Sequence, residues 1–125
     1  MAVLDASALL ALLNEEAGAD EVAEALDDAM MSAVNHSEVV AKLSEAGMPE
    51  TIIRELLGDL GLVIVSFDVE QSYAAGVLRL TTKSSGLSLG DRACLRLAQR
   101  LALPVLTTDQ AWTGLDLGIE VRLAR

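Results

Sequence analysis

Four acidic residues stand where the chemistry of an α/β sheet is usually carried. Asp5 closes the apolar run of residues 2–4, Glu38 lies one helical turn beyond the apolar residues 30–34, and Asp109 follows the short run 105–107. Asp91 falls on the first turn of a late helix and joins them if that helix starts at the same sheet edge. Ligands of open α/β sheets gather beyond the carboxyl ends of the strands, which sets these four ahead of the other acids. Two carboxylates about 4 Å apart repel by roughly 4 kcal/mol at an effective dielectric of about 20, so four together require a counter-charge. Mg²⁺ or Mn²⁺ would supply it, taking oxygen ligands while keeping room for water and phosphate, and that points to phosphodiester or phosphoryl chemistry. Each acid also has a plainer reading. Asp5 and Asp109 can cap helices, and Glu38 and Asp91 can complete capping boxes begun by Asn35 and Ser88. Capping alone does not require all four at one edge.

The elements that must position them are legible in outline. Residues 2–4 lead into a helix with leucines at helical spacing from Ser7 to Leu13, so the chain opens β then α. Gly18 introduces a second helix to about Ala29, residues 30–34 read as a buried strand, and Asn35 opens a helix to Glu45 that Gly47 ends. Pro49 suits the first turn of a helix to Leu57, residues 60–66 are rich in β-branched side chains, and Asp68 caps a helix to about Leu80. Residues 81–87 are the one polar loop of any length, the expected mobile segment. A helix from Ser88 through Leu101, a strand at 104–107, a turn at 109–112 and a last strand at 119–123 complete the chain. Strands separated by helices imply a mostly parallel sheet covered on both faces. The expected fold is a three-layer α/β/α sandwich, a single domain over residues 1–125 with no repeat or linker.

Composition agrees with one globular domain. With 125 residues, 52% of them hydrophobic, the chain can bury a real core, which excludes a disulfide-stapled miniprotein and a disordered acidic tail. Cys94 and His36 are each the only one of their kind, excluding an internal disulfide and cysteine- or histidine-based metal sites. Cys94, among Ala93, Leu95 and Leu97, belongs in the core, and His36 on the surface. No basic leader precedes Asp5 and no apolar run nears the ~20 residues of a membrane span, so a soluble, cytoplasmic protein is expected. The formal charge is −10, unevenly spread: residues 1–70 carry a net −13 and residues 71–125 a net +3. Seven acids between Glu15 and Asp28 read as a solvated helix face. Arg92, Arg96 and Arg100 recur every four residues, a row that could meet a polyanion or simply face solvent. Phe67, Tyr73 and Trp112 are too few for a base-stacking platform, and Trp112 is expected to pack beside the active edge.

Four segments together resemble the PIN-domain ribonucleases, and among them the toxins of VapBC-type toxin–antitoxin pairs. They are Val3-Leu4-Asp5-Ala6-Ser7, the run from Ser32 through Asn35 to Glu38, Leu89-Gly90-Asp91-Arg92-Ala93-Cys94, and the run from Leu106 to Trp112, in that order over nearly the whole chain. The resemblance implies that Asp5, Glu38, Asp91 and Asp109 form an acidic quartet binding Mg²⁺ or Mn²⁺, with Ser7 and Thr107 as accessory hydroxyls. It implies endonucleolytic cleavage of RNA by metal-activated water, a homodimer, and a cognate antitoxin that sends an arginine among the acids. Asn35 stands where many relatives carry serine or threonine, an exchange that is neutral if the residue is a helix cap. Lys83, Arg92 and Arg96 are the expected contacts to the RNA backbone, offsetting the overall negative charge together with the ions. Two other readings remain open. A phosphotransfer or phosphatase domain also places acids at strand ends, but no second aspartate stands two residues after Asp5 and no glycine-rich nucleotide fingerprint is present. A catalytically silent module could use the acids only to hold an arginine-bearing partner.

Overall fold

The computed structural model describes residues 1–112 and 116–125. Five strands, β1 (Val3–Leu4), β2 (Met30–Ser32), β3 (Val63–Val65), β4 (Val105–Thr107) and β5 (Val121–Leu123), form one sheet in the order β3-β2-β1-β4-β5. Every neighbouring pair is parallel. The helices are α1 (Ala6–Leu13), α2 (Ala19–Ala25), α3 (Ala33–Glu45), α4 (Glu50–Gly58), α5 (Val69–Thr82) and α6 (Leu89–Leu101). From β1 the chain steps outward through β2 and β3, then crosses back to lay β4 and β5 on the other side. The crevice beyond the carboxyl ends of β1 and β4 is therefore the topological switch point of the sheet.

Side-chain alternation splits the core into two layers. Ala2, Leu4, Met31 and Leu106 pack with Leu9 of α1, Val22 of α2, Val39 and Leu43 of α3 and Ile53 of α4. Val3 and Val105 point the other way, onto Leu78 of α5 and Leu95, Leu97 and Ala98 of α6. The three-layer α/β/α sandwich is as the sequence implies. Cys94 and Trp112 are buried in the second layer. Among the described residues no helix is long and apolar enough to cross a membrane.

Two local expectations are corrected. Strand β2 stops at Ser32, whose hydroxyl accepts from the Val34 amide at 3.2 Å and starts α3 at Ala33. Asn35 is thus inside the first turn of α3 and does not cap it, and its expected capping box with Glu38 does not form. The second correction concerns the expected loop at 81–87. Helix α5 continues through Thr82, whose buried hydroxyl donates to the Leu78 carbonyl at 2.8 Å, and Lys83–Ser85 add one 3-10 turn that ends on Gly86 at φ 67°. The Ser88–Asp91 capping box does form: Ser88 Oγ accepts from the Asp91 amide at 3.1 Å, and Asp91 Oδ2 from the Ser88 amide at 2.9 Å.

Candidate functional site

Asp5 follows the shortest strand of the sheet and is 4% exposed. Its backbone is extended, so it caps α1 while its carboxylate stays at the switch point. Oδ1 accepts from the Ala8 amide at 2.9 Å and from Ser7 Oγ at 2.7 Å; Oδ2 accepts from Thr107 Oγ1 at 2.6 Å. The register explains the last contact, because Leu4 lies opposite Leu106 and the next residues of the two strands meet at their carboxyl ends. The Ser7 hydroxyl also accepts from the Thr108 amide at 3.1 Å and lies 3.2 Å from Thr107 Oγ1. Capping α1 therefore leaves the Asp5 carboxylate at the carboxyl ends of β1 and β4.

Glu38 reaches the same region from α3. Its Oε1 accepts from Asn35 Nδ2 at 3.1 Å, and the same nitrogen donates to the Gly90 carbonyl on α6 at 3.1 Å. Gly90 lies directly under the carboxylate. A Cβ there would collide with Oε1 and stand 2.7 Å from Cδ and Oε2. Asp91, the next residue, commits Oδ2 to the capping box of α6.

These three acids feel one another. Burial, the largest cause, holds Asp5 above its ordinary value of 3.8, its three hydrogen bonds oppose the shift, and the charge of Asp91 adds to it. Glu38 is raised above 4.5 by burial first, against its bond from Asn35, with Asp91 and Asp5 adding to the rise. The Cys94 thiol, one helical turn past Asp91, is pushed well up by full burial and then by Asp5, Asp91 and Glu38. Cys94 is thus a core residue with no nucleophilic character. Asp109 is exposed just past β4, and its amide donates to Thr107 Oγ1 at 3.0 Å. Among the described residues, no three His, Cys, Asp or Glu side chains already form a set able to hold an ion.

The expected basic face takes a different form. Arg92 is only 8% exposed and its Nη1 donates to the Ala75 carbonyl at 2.8 Å. Arg96 Nε donates to the Ala74 carbonyl at 2.8 Å and Nη1 to Gln99 Oε1 at 2.7 Å. Both arginines brace α6 against α5, whose small residues Ala74, Ala75 and Gly76 leave the backbone within reach. The row does not face solvent as a whole: Arg100 is exposed, as is Lys83 in its 3-10 turn, whereas Arg92 is not. His36 is half-buried, its pKa lowered by burial, at a cleft of about 540 Å³ lined also by Val40, Ile53 and Leu57. Standing two residues from Glu38 on one helix, it cannot share that side chain's face. Asn35 and Gly90 are the residues whose part in the site the sequence reading missed. The available signal was an amide three residues before a carboxylate on a helix, a spacing that puts the two side chains in contact.

The chain is similar to known proteins over nearly its whole length. The PIN domain family matches residues 2–116. A VapC ribonuclease of Mycobacterium bovis and Ribonuclease VapC42 of Mycobacterium tuberculosis are each 32% identical to the chain, over 92% of it and 95% of their own length. Among solved structures, a toxin–antitoxin complex from Klebsiella pneumoniae superposes with a TM-score of 0.76 at 22% identity, covering 95% of both chains. DNA-bound VapBC from Salmonella typhimurium gives 0.75 at 17% identity over 98% of both. These structural likenesses carry the fold, and the family match and the curated relatives carry the kinship: the chain belongs to the PIN-domain family, among its VapC members.

Proposed function

We propose that the chain is a Mg²⁺- or Mn²⁺-dependent endoribonuclease, one nuclease domain over residues 1–125, acting as the toxin of a toxin–antitoxin pair. What supports this reading is that β1, α3 and α6 carry Asp5, Glu38 and Asp91 toward one edge of a PIN-domain sheet, Asn35 tying Glu38 to the first turn of α6, where Asp91 stands beside Gly90. The donors fit a hard divalent ion by their chemistry. They offer only oxygen, and two of them sit above their ordinary pKa values, through burial first and the neighbouring carboxylates after it. Asp109 completes the quartet in this reading. Bound there, the ion would supply the Lewis acid that ionises water and stabilises charge on the phosphate.

The chain's own residues do the rest. Ser7 and Thr107 fix the Asp5 carboxylate in one orientation, as outer partners of a metal ligand do. The cap of α6 holds Asp91 at the rim. Lys83, exposed, takes the phosphate-contact role, while Arg92 and Arg96 serve it indirectly by holding α6 in place. The structural neighbours solved with antitoxins support a cognate antitoxin here, whose arginine would neutralise the acids in the ion's place. A cytoplasmic location belongs with an RNA substrate and such a partner.

The test is direct. Partner-free protein is mixed with structured RNA and Mn²⁺, then with chelator. Cutting that chelation stops supports the nuclease, and tight antitoxin binding without cutting under any condition supports the silent module instead.

The homodimer also has a surface to use. Val69, Tyr73, Val77 and Leu80 follow one another at spacings of four, four and three on α5, and they are 68%, 68%, 65% and 85% exposed. An apolar row of that kind on a charged domain marks an interface, here with a second copy. Leu80→Asp should convert a dimer to a monomer by light scattering, with little change in far-UV circular dichroism because the side chain is 85% exposed. A dimer unchanged by Leu80→Asp would place the interface elsewhere.

A further inference from the structure

Glu38 is held differently from the other acids. Asp5 caps α1, with a further bond from Thr107, and Asp91 completes the capping box of α6, but Glu38 projects from the interior of α3 and is met by α6 from across the crevice. Asn35, 2% exposed, makes the connection with a single nitrogen. Its two N–H groups go one to the Glu38 carboxylate and one to the Gly90 carbonyl, 55 residues away. Its Oδ1 is buried without a hydrogen-bond partner among the described residues, a cost the position carries for the sake of the two donors. Gly90 contributes by lacking a side chain, since the volume of a Cβ there is occupied by the Glu38 carboxylate.

We propose that Asn35 and Gly90 form a two-part latch that fixes the Glu38 carboxylate against the first turn of α6, making both positioning residues for the metal site. This rests on the metal-nuclease reading above. The latch gives Asn35 a role that a cap would not have. Serine, adequate as a cap, offers one donor where the latch uses two, so serine at this position is not neutral in this chain. Alanine at position 90 raises helix propensity, and the three atoms nearest its Cβ all belong to the flexible end of Glu38, so it displaces the carboxylate and leaves the helix in place.

The experiment uses the full chain stripped of metal. Side-chain amide exchange at Asn35, followed by NMR, reads the latch with no ion present, and calorimetric titration with Mn²⁺ reads its consequence. In wild type both Asn35 amide protons exchange slowly, and in Gly90→Ala exchange is about tenfold faster or more. Asn35→Ala and Gly90→Ala each weaken Mn²⁺ binding roughly 10- to 100-fold, the usual cost of losing an outer partner, with Asn35→Ser in between. Circular dichroism stays that of wild type for Gly90→Ala even if Asn35→Ala folds poorly. Fast exchange at Asn35 in wild type would mean the latch does not exist. Unchanged Mn²⁺ affinity in Gly90→Ala, where Asp5→Asn loses it, would overturn the positioning role and leave the metal site standing. A slow-exchanging Asn35 in a wild type that binds no Mn²⁺ would remove the metal reading and the positioning role with it.

Discussion

Asp5→Asn should abolish RNA cleavage, by roughly three orders of magnitude, while making the metal-free protein harder to unfold at neutral pH. The two effects have one cause. Asp5 is buried, and burial outweighs three hydrogen bonds to hold its pKa above 3.8. A carboxyl whose folded pKa is raised contributes stability that is complete below the unfolded value and is lost as pH rises through the folded one. At neutral pH the bare carboxylate is therefore a charge the fold holds at a cost, and Glu38 adds to it in the same direction. Asparagine keeps an acceptor for Ser7 and Ala8 and offers Thr107 a donor in place of an acceptor, which a hydroxyl accommodates by turning. The gain should show as a higher melting temperature at neutral pH and should vanish as pH falls toward 4. Adding Mn²⁺ should reverse the order of stabilities, because wild type gains from the ion by mass action and the variant does not. Thermal melts at pH 4 and pH 7.5, with and without Mn²⁺, check all of this. A variant less stable than wild type at pH 7.5 without metal would mean the carboxylate is a structural cap and nothing more.

Local signals were the readable ones. The cap of α1 by Asp5 and the Ser88–Asp91 box were legible because each depends on residues within a turn of itself, and the sandwich because alternating strands and helices leave few other ways to cover a sheet. The cap of α3 was misplaced for an equally local reason. Met30 to Val34 is apolar apart from Ser32, and the continuous apolar pattern hid the serine that ends the strand and caps the helix. With Ser32 as cap, Asn35 became free to reach α6, a contact 55 residues distant that no spacing announces. The arginine row failed on tertiary grounds. Spacing places Arg92, Arg96 and Arg100 on one side of a helix but does not say what lies against that side, and α6 is packed so deeply that its first two turns keep little surface. Arginine tolerates such burial by keeping its charge while donating to backbone carbonyls, here those of α5.

Thr107→Val should cost both stability and activity, and Thr107→Ser should recover most of each. Thr107 is fully buried at the end of β4, and its hydroxyl performs two tasks at once: it donates to Asp5 Oδ2 at 2.6 Å and accepts from the Asp109 amide at 3.0 Å. Valine keeps the shape and the strand preference, so what is lost is the hydroxyl alone. A hydrogen bond to a carboxylate is worth about 1.5–3 kcal/mol, and the bond from the Asp109 amide is lost with it, so unfolding should become easier by about 2–3 kcal/mol at neutral pH. Losing the bond also removes the largest of the causes that lower the pKa of Asp5, which raises that carboxyl further and makes it a poorer ligand. Cleavage should fall roughly 10- to 100-fold, the scale of an outer partner and well short of losing the ligand itself. If the hydroxyl acts through Asp5, the penalties must shrink when Thr107→Val is built on Asp5→Asn, since much of what valine removes is then no longer there to lose. Fully additive stabilities in that double-mutant cycle would show Thr107 acting only on the backbone of Asp109, and the carboxylate at the switch point would then owe its orientation to Ser7 and the Ala8 amide.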